Sequence, residues 1–403
     1  MSPLEHFPPA RQEALRRIAA IRPADYARTR NALDGAVTRL SPYLTHGLVD
    51  LREVLQGVVS AHRLHTQHKL VFELGWRAYF RHVWQDRGEG ILRSLHPGPL
   101  PDSVYATELP ADIRQGRTGV PAIDQAVREL YATGWLHNHA RMWLASYVVH
   151  VRKVHWRTGA DWLYGHLLDG DLASNHLSWQ WVAGTGSHKP YLFNADNVAR
   201  FAPAPWHSPG TVIDTGYEAL DRLARDATAP SAIKQPDQAP RPWASAAADE
   251  PALLCRPPDD LGWAPPDARA VANRDVWLVH AWALGKLPAD LAPDTMVIGV
   301  GVADFHQAWP WREARWHFVQ RRMAELTSLR WHASATDLKA ALQGARRVRT
   351  LAEPHLAPWL PSFADCLAPA PLFPAVDRRC DSFMQWWKRA SHGVAWANDW
   401  LAR

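Results

Sequence analysis

The chain has 403 residues, of which 47% are hydrophobic and 21% are charged. This balance is typical of a globular protein, and the length predicts two or three domains. The sequence has no apolar run long enough to cross a bilayer, and its N-terminus lacks the apolar core of a signal peptide. We therefore expect a cytoplasmic protein without a membrane partner.

Three kinds of residue limit the chemistry further. Cys255, Cys366 and Cys380 cannot all pair, and they are too few for a four-thiolate iron–sulfur cluster, which favours a reducing compartment. The formal charge of +5 permits a polyanionic partner, although many proteins that bind none have a similar charge. The 22 Trp residues are expected mostly in the core, with a minority stacking on bases or a flat cofactor or carrying an electron.

The first region, residues 1–205, predicts a helical domain. Apolar residues recur there at a spacing near 3.6, which is the period of an amphipathic helix. The stretches with this spacing are 69–83, 121–131, 137–151 and 160–168. The fold class that we predict is therefore mainly α, with an all-helical first domain.

The rest of the chain differs from the first region in composition and in its hydrophobic pattern. Residues 206–270 are rich in Pro, Ala and Asp, which predicts an extended linker that buries little of itself. In residues 271–403 short apolar runs alternate with a helical stretch from Trp311 to Thr327. Strands alternating with helices predict a smaller C-terminal α/β domain, Rossmann-like, with a parallel sheet.

Three motifs in the first region carry polar groups that suit a ligand. Ser41 before a proline predicts a capped helix start that could hold a phosphate, but these residues alone favour an ordinary capped helix. A second segment places Glu73, Trp76 and Arg77 on one helix face, where the indole could also be plain core. The third motif, Asp169-Gly170-Asp171, resembles a calcium or magnesium loop, but the later ligands of such a loop are missing, so we predict no metal site.

Six segments between Tyr26 and Phe201 occur in one order: YARTR, VTRLSPYL, ELGWR, GWLHNHARM, VHWRTGADW and DGDLASNHLSWQW. In residue identity, order and spacing they resemble the FAD-binding helical domain of the photolyase/cryptochrome family, and most closely its bacterial dimer-repair branch. The resemblance implies a deoxyribodipyrimidine photo-lyase, a carbon–carbon lyase. Such an enzyme splits cyclobutane pyrimidine dimers with an electron from photoexcited reduced FAD.

The resemblance also implies a set of cofactor contacts. Tyr26 and the segment from Val37 to Ser41 would hold the FAD phosphates, and Arg77 would brace the bent cofactor. Asn138 would lie against the reactive edge of the flavin ring, near a pair between Arg141 and Asp169. The complete implied FAD set is Tyr26, Val37, Thr38, Arg39, Leu40, Ser41, Arg77, Asn138, Arg141, Asp169, Gly170, Asp171 and Asn175.

A second implied set binds DNA and its lesion. Glu73 would bond to the base edge of the dimer, while Trp76 and Trp181 would pack against its faces. The complete implied set is Arg30, Glu73, Trp76, Trp135, His139, Met142 and Trp181. Asn138 and Met142 occupy positions where family members that repair (6-4) photoproducts carry histidines, which favours cyclobutane dimers as the substrate.

A third implied set reduces the flavin under light. Trp156 and Trp179 match two members of the family's tryptophan relay, and the outermost member falls near Tyr105. Together with Glu73, Asn138 and Met142, these three residues form the implied catalytic set. For any single Trp of the relay, a purely structural role in the core is the alternative.

The C-terminal region departs from the family pattern. Typical members carry an α/β antenna domain before the FAD domain, whereas here the α/β-like region follows it. The segments WPWREARWHFVQRRMAEL and FMQWWKRA resemble antenna-domain pieces, so we interpret residues 271–403 as a relocated antenna-like domain. The sequence assigns no antenna pigment to it.

Two other functions are compatible with parts of the pattern. A cryptochrome-like blue-light receptor would keep FAD and the relay but repair little or nothing, and the relocated domain could be its output module. A helical DNA- or protein-binding module without flavin would not need the DGD motif or Asn175. The repair function, by contrast, predicts a monomer that binds pyrimidine dimers in DNA and is associated with the nucleoid during repair.

Overall fold

The computed structural model describes residues 2–228 and 247–402. The chain divides into two compact units. Unit 1 consists mainly of Arg22–Val37 and Phe80–Pro251, and unit 2 of Pro3–Ile21, Thr38–Tyr79 and Ala252–Arg403. These units do not follow the predicted boundaries at residues 205 and 271, because unit 2 is assembled from three separate segments.

The regular elements assigned to unit 1 are helices. Its α-helices are Pro23–Thr29, Ala111–Arg114, Pro121–Thr133, Asn138–Ser146, Trp156–His166, Leu172–Ala183, Ala195–Phe201 and Tyr217–Arg225. Shorter 3₁₀ segments are Gly88–Leu92, Asp102–Val104 and Ala204–Trp206, a π-helical turn lies at Tyr147–Val151, and an isolated β-bridge joins Ala106 to Val154. The long helix Lys69–Arg87 contributes residues to both units.

Local sequence explains where one central helix of unit 1 begins and ends. Helix Pro121–Thr133 starts with proline at its first position, where the missing N–H costs nothing, and ends at Gly134, whose φ is +69°. Its apolar stripe includes Val127 and Leu130, both fully buried in the main core of the unit. The predicted helical period of 121–131 is therefore confirmed.

The predicted linker is partly wrong. Residues Tyr217–Arg225 form a helix that buries Leu220 and Ala224, one helical turn apart. The buried ammonium of Lys153 donates hydrogen bonds to the carbonyls of Leu223 and Ala224 at 2.6 and 2.8 Å, which satisfies the end of this helix. Residues 229–246, which contain most of the Pro- and Ala-rich stretch, lie outside the described residues.

Unit 2 contains the predicted α/β layer. Its α-helices are Pro3–His6, Arg11–Ala19, Ser41–Thr45, Leu51–Val59, Ala303–Ala308, Glu313–Ala324, Ala335–Leu342 and Phe383–Ala390. Its strands are β1 Leu253–Leu254, β2 Asp275–His280, β3 Met296–Val302, β4 Trp311–Arg312, β5 Arg330–Ala333, β6 Arg347–Leu351 and β7 Asp365–Leu367. Short 3₁₀ segments are Asp259–Leu261, Ala268–Ala270, Pro354–Leu356, Leu360–Ser362 and Ala397–Trp400.

Five of these strands form one parallel sheet in the order β5-β3-β2-β6-β7. The chain moves outward from β2 in one direction and then returns to continue on the other side, which is the doubly wound order. Strands β2 and β3 are buried along most of their length, as expected where helices cover both faces of a parallel sheet. The structure thus confirms a C-terminal α/β layer.

Segments from the first 79 residues are part of the same unit. His46 Nδ1 lies 2.6 Å from the carbonyl oxygen of Ala281, directly after β2. The amide of Thr66 donates to the carbonyl of Ala395 at 3.0 Å. Helix Leu51–Val59 begins with a capping box between Asp50 and Glu53.

Within the described residues, no helix combines the length and apolarity needed to span a bilayer.

Candidate functional site

The DGD motif of unit 1 carries two buried carboxylates that are paired with arginines. Asp169 accepts two hydrogen bonds from Arg141 Nη2, at 3.0 and 2.7 Å, as the sequence predicted for this pair. Asp171 caps helix Leu172–Ala183 by accepting from the Ser174 amide at 2.8 Å, and it pairs with Arg81 at 2.7 Å. Both carboxylates are buried and face guanidinium groups, which argues against the calcium-loop alternative.

Helix Asn138–Ser146 presents the residues predicted to contact the flavin edge and the lesion. The Asn138 side chain is exposed, and its amide nitrogen lies 3.3 Å from Met142 Sδ, one turn later. His139 is partly buried, and its Nδ1 lies 2.6 Å from the carbonyl oxygen of Asn31. Because burial lowers the pKa of His139, this residue is a poor source of positive charge for a phosphate at neutral pH.

Two neighbouring tryptophans of helix Leu172–Ala183 have opposite environments. Trp179 is only 2% exposed, and its ring packs so closely that a Cβ on Gly159 would approach it to 2.4 Å. Trp181 is 41% exposed and contacts Tyr191 with a ring separation of 5.6 Å. Trp135, also predicted to face the lesion, is buried.

The structure brings two predicted relay residues to one small cavity. Tyr105 and Trp156 both line this space of about 10 Å³, together with His155, whose ring centroid is 6.3 Å from that of Tyr105. Burial raises the pKa of the Tyr105 phenol, so it holds its proton at neutral pH. Trp156 is buried and donates its indole N–H to Ser94 at 2.9 Å.

The other residues of the predicted cofactor set divide between the units. Tyr26 and Val37 belong to unit 1, where Tyr26 is buried, and Arg30 is half-buried in the same unit. Asn175 of unit 1 is buried and donates its amide to the Ala160 carbonyl at 2.8 Å, and Gly170 is buried between the two aspartates. Thr38 to Ser41 and Arg77 belong to unit 2.

In unit 2 the predicted phosphate segment has an unusual backbone. Arg39 adopts φ of +49°, a left-handed conformation that is uncommon for a residue with a side chain and tends to occur at ligand sites. Its side chain is exposed, while Leu40 beside it is buried. Arg77 donates to the hydroxyl of Thr45 at 2.8 Å.

Trp76 has a neighbour that the sequence did not suggest. Its ring stacks on Phe383 of the C-terminal helix, with centroids 4.1 Å apart and planes within 11°. Glu73, one turn before Trp76, is half-buried. Sequence analysis also missed Arg81, although its position four residues after Arg77 places it on the same helix face.

In each unit taken by itself, the polar side chains suit one part of a flavin dinucleotide. Unit 1 supplies an exposed amide at Asn138 and a paired guanidinium at Arg141, which suit the polar edge of a flavin ring. Unit 2, taken by itself, supplies the exposed guanidinium of Arg39 and the Ser41 hydroxyl, which suit phosphate oxygens. The predicted cap at Ser41 is wrong, because Ser41 is the first residue of helix Ser41–Thr45 and Leu40 is its N-cap, without a side-chain cap hydrogen bond. When bound, FAD would supply the light-driven electron transfer that these side chains cannot perform themselves.

Aromatic side chains lie at the usual ligand position of the sheet. In doubly wound sheets ligands bind at the carboxyl ends of the strands where the strand order reverses, here between β2 and β6. Trp282, which follows β2, stacks on His355, which follows β6, with ring centroids 4.5 Å apart. Both side chains are buried, and with Phe305 they occupy this crevice.

Comparison with known proteins agrees with the predicted resemblance. Residues 70–207 match the family model described as the FAD binding domain of DNA photolyase. The matched segment is about a third of the chain, and it resembles a photolyase-type FAD-binding domain. The chain is 38% identical over 170 residues to a deoxyribodipyrimidine photo-lyase of Streptomyces griseus, which covers 41% of this chain and 36% of that protein.

The sequence identity of the chain to cryptochromes is comparable to its identity to the photo-lyase. Cryptochrome DASH of Xenopus laevis is 35% identical over 172 residues, covering 41% of this chain and 33% of that protein. Among solved structures, a Synechocystis sp. PCC6803 cryptochrome has a TM-score of 0.43 at 29% identity, over 48% of this chain and 43% of that one. The chain therefore spans about a third of the length of these two curated relatives, of which one is named a photo-lyase and the other a cryptochrome.

Proposed function

We propose that this protein splits cyclobutane pyrimidine dimers in DNA in a light-dependent reaction that uses FAD. The observation that carries this proposal is the exposure of Trp181. Its neighbour Trp179, in the same helix, is almost fully buried, whereas Trp181 leaves 41% of its surface in water. Trp181 lies within the segment that matches the FAD-binding family model, and an exposed indole is the type of group on which an unstacked base packs.

Two residues of helix Asn138–Ser146 favour dimers over (6-4) photoproducts as the substrate. Asn138 and Met142 supply an amide and a thioether on one helix face, and neither can act as the proton donor that a histidine would be. Photolyases flip their target out of the duplex into a pocket, which requires apolar and aromatic walls. In unit 1, taken by itself, Trp135 and Trp181 are the aromatic residues that we assign to this role, and Trp76 is the residue that we assign to lesion contact within unit 2.

The proposal extends to the supply of electrons. Tyr105 and Trp156 line one cavity, and Trp179 is packed rigidly against Gly159. We assign these three residues to the reduction of the flavin under light, and this role would be shared by a cryptochrome-like receptor.

Repair by the purified protein tests the proposal. The chain is loaded with FAD, reduced chemically and mixed with an oligonucleotide that contains a dimer, in single- and double-stranded form. Blue light should remove the dimers while a dark control keeps them, and (6-4) photoproducts should persist. Intact dimers after illumination of the reduced, FAD-loaded protein would refute repair and favour the receptor function.

Trp181→Ala supplies the matched variant for this experiment. It should weaken binding of the lesion by about 1–3 kcal/mol, since one base-stacking platform is lost, without releasing FAD. Leu367→Ala is the control, because Leu367 of unit 2 is similarly exposed, at 39%, and lies on strand β7. Equal lesion affinity for Trp181→Ala and Leu367→Ala would contradict the role given to Trp181.

A further inference from the structure

The C-terminal helix Phe383–Ala390 is packed against the helix that carries Glu73 and Trp76. A Cβ on Gly75 would approach Trp387 Cζ3 to 2.4 Å, so the two helices meet at this glycine with no space to spare. The Tyr79 hydroxyl donates to the Cys380 carbonyl at 3.4 Å, just before the C-terminal helix begins. All of these residues belong to unit 2.

Phe383 is the residue of this helix that lies on Trp76. The two rings are nearly parallel and 4.1 Å apart, and the edge of Tyr79 faces Trp76 with centroids 5.7 Å apart. Trp76 is therefore held in one orientation although it is only partly buried. A side chain that must present a flat face to a base benefits from being oriented before the base arrives.

Phe383 is itself fixed by its surroundings. It is 5% exposed, and its ring packs against Phe72 and Trp387 with centroids 5.8 and 5.6 Å away. Its position at the start of the helix is set by Ser382, whose hydroxyl caps the amide of Gln385 at 3.3 Å. The orientation of Trp76 is thus transmitted from a rigid aromatic cluster rather than from a single mobile contact.

We infer that Phe383 is a positioning residue for lesion recognition, acting through Trp76. This role rests on the proposed repair function, because it requires that Trp76 packs against the dimer. The C-terminal helix of unit 2 would then contribute to selecting damaged over undamaged DNA, although Phe383 need not touch the DNA itself.

Three variants of the FAD-loaded chain test this role. Phe383→Leu keeps an apolar side chain but removes the flat ring, and Phe383→Tyr keeps the ring. Phe373→Leu is the matched control, because Phe373 is equally buried and packs on Trp386, Trp387 and Trp400 in the same cluster. Dissociation constants are measured for dimer-containing and for undamaged oligonucleotides, and repair is measured at saturating DNA.

Phe383→Leu should bind dimer-containing DNA about three- to tenfold more weakly, the range expected for loss of one aromatic stack. Affinity for undamaged DNA should stay constant, and repair at saturation should change less than affinity. Phe383→Tyr should bind the dimer with the wild-type affinity, because it keeps the ring. Phe373→Leu should also bind the dimer with the wild-type affinity.

Wild-type affinity for the dimer in Phe383→Leu would overturn the positioning role, as would an equal loss in Phe373→Leu. Failure of the proposed function would look different, because the unaltered chain would then bind damaged and undamaged DNA equally. That outcome would refute both claims. If Phe383→Leu instead keeps the wild-type preference for dimer-containing over undamaged DNA, only the role of Phe383 is refuted.

Discussion

At the scale of single residues, the buried charges of unit 1 are matched by partners rather than left to water. Asp169 and Asp171 are 6% and 1% exposed, and their partners Arg141 and Arg81 come from two different helices. A buried carboxylate keeps its charge only if such partners offset the cost of losing water. The two pairs therefore join helices as well as shape the predicted flavin environment.

Removing one of these carboxylates should cost stability. Asp169→Asn leaves the Arg141 guanidinium without its countercharge, and we expect the free energy of unfolding to fall by about 2–3 kcal/mol, with reduced retention of FAD. Urea denaturation and the flavin content of the purified protein measure the two effects. Asp221→Asn is the control, because the Asp221–Arg225 pair is about half exposed on both sides. Its loss should cost under about 1 kcal/mol.

The buried His150 predicts a dependence of stability on pH. Burial lowers the pKa of His150 to about 4, and Nε2 lies 2.9 Å from the Val182 carbonyl oxygen. In the unfolded chain the pKa returns to about 6.5. Between these values the unfolded state binds more protons, so stability is complete above the upper value and is lost as the pH falls toward 4.

His150→Gln should reduce this acid sensitivity. The amide can still donate to the Val182 carbonyl but does not titrate, so the loss of stability between pH 7 and pH 5 should shrink by about 2 kcal/mol. Urea denaturation at the two pH values gives the comparison, with the exposed His392→Gln as control. An unchanged difference between pH 7 and pH 5 would show that His150 is not the titrating group.

At the scale of elements, helix contacts in both units depend on glycines that allow close approach. Helix Trp156–His166 meets helix Leu172–Ala183 at Gly159, directly against the ring of Trp179. In unit 2, Gly75 plays the same part against Trp387. At Gly159, the close approach of two helices thus also fixes the ring of Trp179, which we assign to electron transfer.

Gly159→Ala tests this contact. The added methyl group would overlap the Trp179 ring, so we expect a loss of about 1–3 kcal/mol from overpacking, partly offset by the higher helix propensity of Ala. Unfolding by urea measures the loss. Gly216→Ala is the comparison, because nothing lies within 4 Å of the position that its added methyl group would occupy. Similar stability of the two variants would exclude tight packing at Gly159.

At the scale of the whole molecule, unit 2 is formed by segments that are far apart along the chain. Residues Thr38–Tyr79 have hydrogen-bond partners among residues beyond 252, such as Ala281 and Ala395. Truncation after residue 251 would therefore expose apolar surface on helix Lys69–Arg87, including the surroundings of Trp76. Unit 2 therefore combines residues that precede and residues that follow most of the segment matched by the family model.

A fragment of residues 1–251 should fail to fold as the intact chain does. We expect rapid proteolysis of residues 38–79, binding of a hydrophobic dye and weak retention of FAD, because Arg77 and Thr38–Ser41 would lose their support. Limited proteolysis followed by mass spectrometry locates the cleavage sites. A protease-resistant fragment that retains FAD would instead support the independent domain of residues 1–205 that the sequence suggested.

The sequence by itself determined the features that depend on neighbouring residues. Helical stripes such as 121–131, the DGD motif and the FAD-binding resemblance are local patterns, because a helix period and a cap involve residues a few positions apart. The same holds for the apolar strands of the α/β layer. The helix at Tyr217–Arg225 was missed because the composition of the surrounding stretch is dominated by Pro and Ala.

Only the tertiary structure decided which distant residues meet. The stack of Trp76 on Phe383, the pair of Arg81 with Asp171 and the strand order β5-β3-β2-β6-β7 have no signature in local sequence. The reason is physical: any buried aromatic ring or carboxylate can be satisfied by many partners of suitable type, and chain topology selects one of them. The polar and aromatic character of the site residues was therefore predictable, whereas the distant residues that contact them and fix their orientation were not.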